Sequence, residues 1–146
     1  SISQSIEKDV NNEISNTKID RQIGNTARTD NFKVDFERII EKCELNAIDI
    51  KYREAVTHAI RLILLDIDNS NTIRIGDNNI PVDVVKKDME KLNYFIIDHA
   101  IHKFKRASEE TKIRNTIAYL KACIYNSIHE MEINVDSDLR YEGLID

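Results

Sequence analysis

The stretch TIRIGDNNIPVDVVKKDMEKL, residues 72–92, decides the fold class of this chain. In its first four residues isoleucine alternates with polar side chains, which predicts a β-strand with one buried face. A turn over Gly76–Asn79 and a short second strand at Ile80 complete a predicted hairpin, the one β element that we expect. Pro81 ends that strand and favours the first turn of a helix, whose apolar face consists of Val82, Val85, Met89 and Leu92.

Composition predicts helices for most of the remaining chain. With only 3 Gly and 1 Pro in 146 residues, the chain lacks the turns of a many-stranded sandwich or barrel and has no Gly-rich phosphate loop. Apolar residues recur at spacings of three and four, which predicts helices near residues 32–43, 49–66, 93–104 and 108–128. Asp49, Asn93 and Ser108 are side chains typical of helix starts. The predicted fold class is therefore mostly α, with one small β-hairpin near residues 72–80.

Three regions follow each other along the chain. Residues 1–30 are polar, and we predict them to be a linker or an isolated lead helix, with Gly24–Asp30 as linker. A narrow stripe in this region steps by four and would need a partner surface: Ile2, Ile6, Val10 and Ile14. We predict a helical domain over residues 31–131. Residues 132–146 are acidic and poor in core residues, which predicts a tail.

Charge is spread unevenly. A net charge of −5 excludes the overall basic field that binds nucleic acid on charge alone. Between Asp83 and Lys121, however, nine Lys/Arg face six Asp/Glu, a local balance of +3. Such a segment is either an ordinary solvated face or a surface that binds phosphates or carboxylates. The candidate partner- or DNA-binding residues are Arg74, Lys86, Lys87, Lys91, Lys105, Arg106, Lys112, Arg114, Asn115 and Lys121.

No motif for catalysis or metal binding is visible. The patterns GxSxG, HExxH and GxxxxGK[ST] do not occur. His99 and His102 lie one helical turn apart but lack a third ligand. Residues 66–77 have the spacing of a calcium loop, but Asn71 stands where Gly is needed and Arg74 puts a cation at a ligand position. We therefore predict no enzyme activity, no catalytic residue, no metal site and no cofactor.

The cysteines and the hydropathy pattern indicate a compartment. Cys43 and Cys123 lie far apart without the spacing of metal ligands, so we expect free thiols in a reducing environment rather than the alternative, a single disulfide. No apolar run approaches the roughly 20 residues that span a bilayer, and the first residues lack the basic-then-apolar order of a secretion signal. We expect a cytoplasmic protein without a membrane partner.

Two blocks of the sequence resemble a known family. They are residues 72–92 and KIRNTIAYLKACIYNSI, residues 112–128, and with weaker similarity around them they cover about residues 45–130. Both resemble the C-terminal domain of RepA_N-type plasmid replication initiators of low-GC Gram-positive bacteria, a domain related to the primosome component DnaD. The matching positions are Thr72, Ile73, Arg74, Ile75, Pro81, Val84, Val85, Lys86, Leu92, Arg114, Asn115, Tyr119, Leu120, Tyr125 and Asn126.

The resemblance implies a compact DnaD-like helical domain without catalytic residues. In such initiators a winged-helix domain binds the origin, and a linker joins it to this domain. Residues 1–30 do not resemble a winged helix, so we expect this chain to be a linker plus the C-terminal domain. The implied function is to recruit host replication proteins, namely a primase, a helicase or a helicase loader, to the plasmid origin.

Two other functions stay open. The basic residues could contact DNA phosphates, which would make the chain a DNA-binding module. The aliphatic stripe in residues 1–14 could pack against a second copy of the chain, and the protein would then be a homo-oligomer.

Five positions of the two blocks are expected to pack in the core rather than to bind a partner, namely Ile73, Ile75, Tyr119, Leu120 and Ile124. Arg74, on the opposite face of the hairpin, and Asn115 are the polar positions that packing explains least.

Overall fold

Five α-helices, one short 3-10 helix and one β-hairpin form the part of the chain that the structure describes. This computed structural model describes the backbone of residues 26–141 and the side chains of residues 31–133. The elements are α1 Thr26–Cys43, the 3-10 helix Leu45–Ala47, α2 Ile50–Asn69, β1 Thr72–Ile75, β2 Asn78–Pro81, α3 Val82–Met89, α4 Tyr94–Glu110 and α5 Thr116–Tyr141. The predicted fold class, mostly α with one small hairpin, is confirmed.

The core lies between α2, α4 and α5. Each of these helices repeats apolar residues at spacings of three and four, which places them on one face. The fully buried members include Val56, Ile60 and Ile63 of α2, Ile97 and Phe104 of α4, and Ile117, Leu120, Ile124 and Ile128 of α5. Helix α1 packs against α2, where the Arg61 guanidinium lies 4.9 Å from the centroid of the Phe36 ring.

The hairpin turn contains two residues, Gly76 and Asp77, and is shorter than the predicted Gly76–Asn79 turn. Gly76 has a φ of 62°, in the left-handed region that a residue without a Cβ enters freely. A glycine in this conformation at the first position of a two-residue turn matches the right-handed twist of the strands. The tight turn lets Asn78 and Asn79 join β2 instead of the loop.

Side chains alternate across the hairpin as predicted. The strands are antiparallel, with Ile73 opposite Ile80 and Arg74 opposite Asn79. Ile73 and Ile75 are buried in the core, whereas Arg74 is exposed on the other face.

Two predicted helix caps are confirmed. The Asp49 carboxylate accepts a hydrogen bond of 3.0 Å from the backbone N–H of Lys51, at the start of α2. The Asn93 side-chain oxygen accepts one of 3.0 Å from Ile96 N–H, at the start of α4. Each cap pairs a backbone donor that has no partner within its helix.

The predicted helix start at Ser108 is wrong. Ser108 lies in the last turn of α4, where its hydroxyl donates a hydrogen bond of 2.8 Å to the Lys105 carbonyl. A serine hydroxyl can make this backward bond inside a helix as well as cap a helix start. The next helix begins at Thr116 instead, where the Asn115 side chain accepts a hydrogen bond of 3.0 Å from Ala118 N–H.

The helices at both ends extend further than predicted. Helix α1 begins at Thr26, within the stretch predicted as a linker, and α5 continues to Tyr141, through the first part of the predicted tail. An ion pair of 2.8 Å between Glu132 and Lys91 ties the start of that extension to the rest of the fold. The predicted aliphatic stripe of residues 1–14 lies outside the described residues.

Both cysteines are free, buried thiols, in agreement with the prediction. Among the residues that the structure describes, no helix has the length and apolar character needed to cross a membrane.

Candidate functional site

A groove opens between the hairpin, the loop after α4 and the start of α5. Its volume is about 580 Å³. Residues 74–77 form one wall, residues 111–115 another, and the first two turns of α5 a third. We call it the basic groove, defined by the side chains of Arg74, Asp77, Lys112, Arg114, Asn115, Tyr119 and Lys121.

Three exposed cations line the groove, and they come from two separate parts of the chain. Arg74 occupies the outward position of β1, while Lys112 and Arg114 lie in the loop between α4 and α5. All three side chains are exposed. Within residues 31–133 none of them has a carboxylate within ion-pair distance, so their charges are available to a ligand.

Some of the other cations at the surface are paired, whereas Lys86, Lys87, Lys105 and Arg106 are exposed and have no ion pair within residues 31–133. Lys91 lies 2.8 Å from Glu132, Lys103 pairs with Glu130, and Arg38 pairs with Glu90. The basic groove is therefore distinguished by bringing three cations, unpaired among the described side chains, from two parts of the chain to one cavity.

The positive charge of Lys121 is less available to a ligand than the charges of Arg74, Lys112 and Arg114. Its side chain is only 12% exposed, and its Nζ lies 3.7 Å from the Asp66 carboxylate. Asp77 adds one exposed carboxylate to the lining at the hairpin turn. The groove thus combines three free cations with one opposing charge.

Asn115 lines the basic groove and also supports its geometry. Its side-chain oxygen accepts a hydrogen bond from Ala118 N–H, so it caps α5. A neutral amide here therefore holds the first turn of α5 beside the cations.

The core prediction is wrong for Tyr119 and confirmed for Leu120 and Ile124. Leu120 and Ile124 are fully buried, whereas Tyr119 remains 40% exposed and lines the groove. Successive residues of a helix differ by about 100° in direction, so Tyr119 lies at the edge of the buried stripe. Its ring packs against Phe104, with centroids 6.2 Å apart.

Half of the ten predicted candidates lie outside the basic groove. Lys91 is one of them, and its hydrogen bond to Glu132 raises the pKa of its ammonium group. The other four are exposed on the outer faces of α3 and α4, namely Lys86, Lys87, Lys105 and Arg106. The structure thus brings Arg74, Lys112, Arg114, Asn115 and Lys121 together, and leaves the rest apart from them.

The two neighbouring histidines have different partners. His99 Nε2 lies 2.8 Å from the Glu130 carboxylate, and His102 Nδ1 donates a hydrogen bond of 2.8 Å to the Asp98 carbonyl. Among the residues whose side chains are described, no three His, Cys, Asp or Glu are grouped so that they could hold a metal ion.

A second cavity, of about 670 Å³, is mainly apolar. It lies where the start of α4 meets α5, and Phe95, Ile96, Ile128 and Met131 line it. Phe95 is 68% exposed, so this aromatic side chain lies outside the buried face of α4.

Comparisons of the chain with protein-family models, curated proteins and solved structures give no match.

Proposed function

We propose that this chain is a non-enzymatic domain of a plasmid replication initiator that recruits host replication proteins to the plasmid origin. The resemblance of residues 72–92 and 112–128 to RepA_N-type initiators suggests this class of protein. One structural observation supports a contact surface. Five positions that carry the resemblance line the same groove although they come from two distant segments of the sequence, namely Arg74, Ile75, Arg114, Asn115 and Tyr119.

The free cations of the basic groove suit an acidic partner surface. Because Arg74, Lys112 and Arg114 have no carboxylate partner within residues 31–133, a partner does not have to displace an internal ion pair. Charges arranged in this way speed encounter and select the partner more than they add affinity. A flexible linker to an origin-binding domain would then raise the local concentration of the captured protein at the origin.

Binding measurements with purified host proteins test the proposal. The chain is immobilised, and the replicative helicase, its loader and the primase of a low-GC Gram-positive host are presented one at a time. We expect one of them to bind, and we expect Arg74→Glu with Arg114→Glu to weaken that binding about tenfold or more, or by at least about 1.4 kcal/mol.

The matched control is Lys86→Glu with Lys87→Glu, which makes the same change of charge outside the basic groove. We expect it to bind like the unmodified chain. If none of the three proteins binds, recruitment is wrong; if both double variants weaken binding equally, the groove is not the recruiting surface.

DNA contact is the second candidate function, and the exposed ring of Tyr119 beside three cations favours it. Each neutralised phosphate contributes about −0.7 to −0.9 to the slope of log affinity against log salt, so contact by three cations predicts a slope of about −2 to −3. A salt titration with single- and double-stranded DNA measures this slope. A flat dependence, or binding that survives Arg74→Glu with Arg114→Glu, excludes DNA contact through the groove.

A further inference from the structure

The basic groove has the size of a small-ligand site. Its volume of about 580 Å³ lies within the range of about 300–1,000 Å³ that such sites occupy. Three separate elements line it, so folding brings its polar groups together at one place. A ligand of nucleotide size fits a cavity of this order.

Positive charge in the groove suits adjacent phosphates. Arg74 and Arg114 carry guanidinium groups, whose paired N–H donors match two phosphate oxygens at once, and Lys112 adds a point charge. These three side chains are exposed and line one cavity. A ligand with several negative charges close together satisfies all three better than a single carboxylate does.

The ring of Tyr119 offers a stacking surface beside these cations. It is 40% exposed and lines the groove. Contact with the fully buried Phe104, 6.2 Å away between centroids, holds the orientation of the ring. Every nucleobase has a π-face that can stack on such a ring. The groove therefore matches a ligand that carries a flat base at one end and phosphates at the other.

Carboxylates around the groove favour a compact anion over a long one. Asp77 lines the groove at the hairpin turn, and the exposed Glu109 and Glu110 come directly before Thr111, another lining residue. A nucleic-acid strand that continued beyond the groove would bring further phosphates towards these carboxylates, and the net charge of −5 opposes it too. A free nucleotide ends within the groove and brings no further phosphates towards Glu109 and Glu110.

We infer that the basic groove binds a free nucleoside polyphosphate, with its phosphates on Arg74, Lys112 and Arg114 and its base on the Tyr119 ring. The Asp77 carboxylate is the acceptor available to a ribose hydroxyl. This site does not depend on the proposed recruitment function. If the groove binds both a nucleotide and a host protein, the two ligands compete for Arg74 and Arg114.

Titration calorimetry on the full chain tests the inference. ATP and GTP are the probes, and adenosine and tripolyphosphate represent the two halves of the ligand, in magnesium-free buffer of low salt. We expect saturable, one-to-one binding of at least one nucleotide. Tripolyphosphate should bind about tenfold more weakly, because it lacks the stacked base, and adenosine should not bind measurably.

Variants assign the two halves of the ligand to their residues. Arg114→Gln should weaken nucleotide and tripolyphosphate alike, by about tenfold. Tyr119→Leu should weaken the nucleotide alone, whereas Tyr119→Phe keeps the ring and should bind normally. Lys86→Gln, outside the groove, is the charge control and should bind normally. Thermal unfolding of each variant shows that it is folded.

Several results would overturn the inference. They are the absence of saturable nucleotide binding, equal affinity for nucleotide and tripolyphosphate, or an unchanged nucleotide affinity of Tyr119→Leu. Much tighter binding of an oligothymidylate of about 12 nucleotides through the same residues also overturns it and favours DNA. Failure of the proposed function is distinct, because host-protein binding is then absent while nucleotide binding persists.

Discussion

The hydroxyl of Tyr125 on α5 donates a hydrogen bond to the carboxylate of Asp88 on α3, and both side chains are buried. The same carboxylate group lies 3.1 Å from His129 Nε2 and 3.4 Å from Lys91 Nζ. Burial, reinforced by the bond to Asp88, raises the pKa of the Tyr125 phenol. A carboxylate this far from water needs such partners, and the cluster therefore holds α3 against α5.

Removal of that phenol hydroxyl should destabilise the fold. We expect Tyr125→Phe to lower the free energy of unfolding by about 1.5–3 kcal/mol, because a buried charged acceptor loses a donor. Urea denaturation measures the change. Tyr94→Phe is the control, since the Tyr94 hydroxyl forms no hydrogen bond within residues 31–133. Equal losses in the two variants would show that the bond to Asp88 adds nothing to stability.

Loss of the cap at Asn115 should weaken the start of α5. We expect Asn115→Ala to lower stability by about 0.5–2 kcal/mol, and Asn115→Asp to retain it, because aspartate caps helices equally well. Thermal denaturation distinguishes them. Asn126→Ala, at an exposed position within α5, is the control and should cause no loss. If alanine and aspartate at position 115 are equally stable, the cap does not support the helix.

The left-handed conformation of Gly76 should make this turn sensitive to any side chain. A Cβ at this position meets nothing within 4 Å, so an effect of Gly76→Ala comes from backbone strain at a φ of +62° and not from a clash. We expect a loss of about 1–2 kcal/mol in urea denaturation. Gly76→Asn should lose less, because asparagine tolerates this region better. Equal stability of Gly76→Ala and the unmodified chain would contradict the assigned turn geometry.

Acidification should remove the stabilisation that Glu130 provides. Burial alone would raise the pKa of its carboxyl, but hydrogen bonds from Lys103 and His99, with their positive charge, lower the pKa below its ordinary value of 4.5. Because the pKa is lower in the folded state than in the unfolded state, the stabilisation is present above about pH 4.5 and is lost as pH falls through the folded-state pKa.

Stability measured against pH checks this expectation. Glu130→Gln should flatten the decline below about pH 4.5, whereas Glu109→Gln, at an exposed position without an ion pair in the described chain, should leave it unchanged. Parallel declines in the unmodified chain and Glu130→Gln would rule out this contribution.

Both thiols should be slow to react in the folded protein. Burial raises the pKa of the Cys43 thiol to about 12 and that of the Cys123 thiol to about 11. Since the thiolate is the reactive form, a disulfide reagent at about pH 8 should modify neither thiol at the rate of an exposed cysteine, and should modify both after guanidinium denaturation. Rapid modification of the native chain would show that one of them opens to solvent.

Signals that act over a few residues predicted the elements of the fold better than their ends. The hairpin and the caps at Asp49 and Asn93 are confirmed because each depends on neighbours close in sequence. The prediction at Ser108 is wrong because a serine hydroxyl, judged from neighbouring residues alone, suits either a helix start or a last helical turn. The actual start of α5 depended on Asn115, whose side chain forms the cap.

The site depended on contacts that local sequence does not contain. The basic residues of the chain can be counted, but which of them stay free is decided by folding. Lys91, in the turn between α3 and α4, meets Glu132 of α5, whereas Arg74 joins Arg114 because the hairpin packs beside α5. Tyr119 fits the apolar pattern of its helix and is nevertheless left partly open, because it lies at the edge of the buried stripe.

The alternation of side chains along β1 limits which changes in strand register keep Arg74 at the basic groove. Arg74 lies between Ile73 and Ile75 in a strand whose side chains alternate, so a slip of one position would bury the guanidinium and put both isoleucines in water. A slip of two positions restores the same faces. An insertion or deletion of an odd number of residues within β1 would therefore need a compensating β-bulge to keep Arg74 on the outer face.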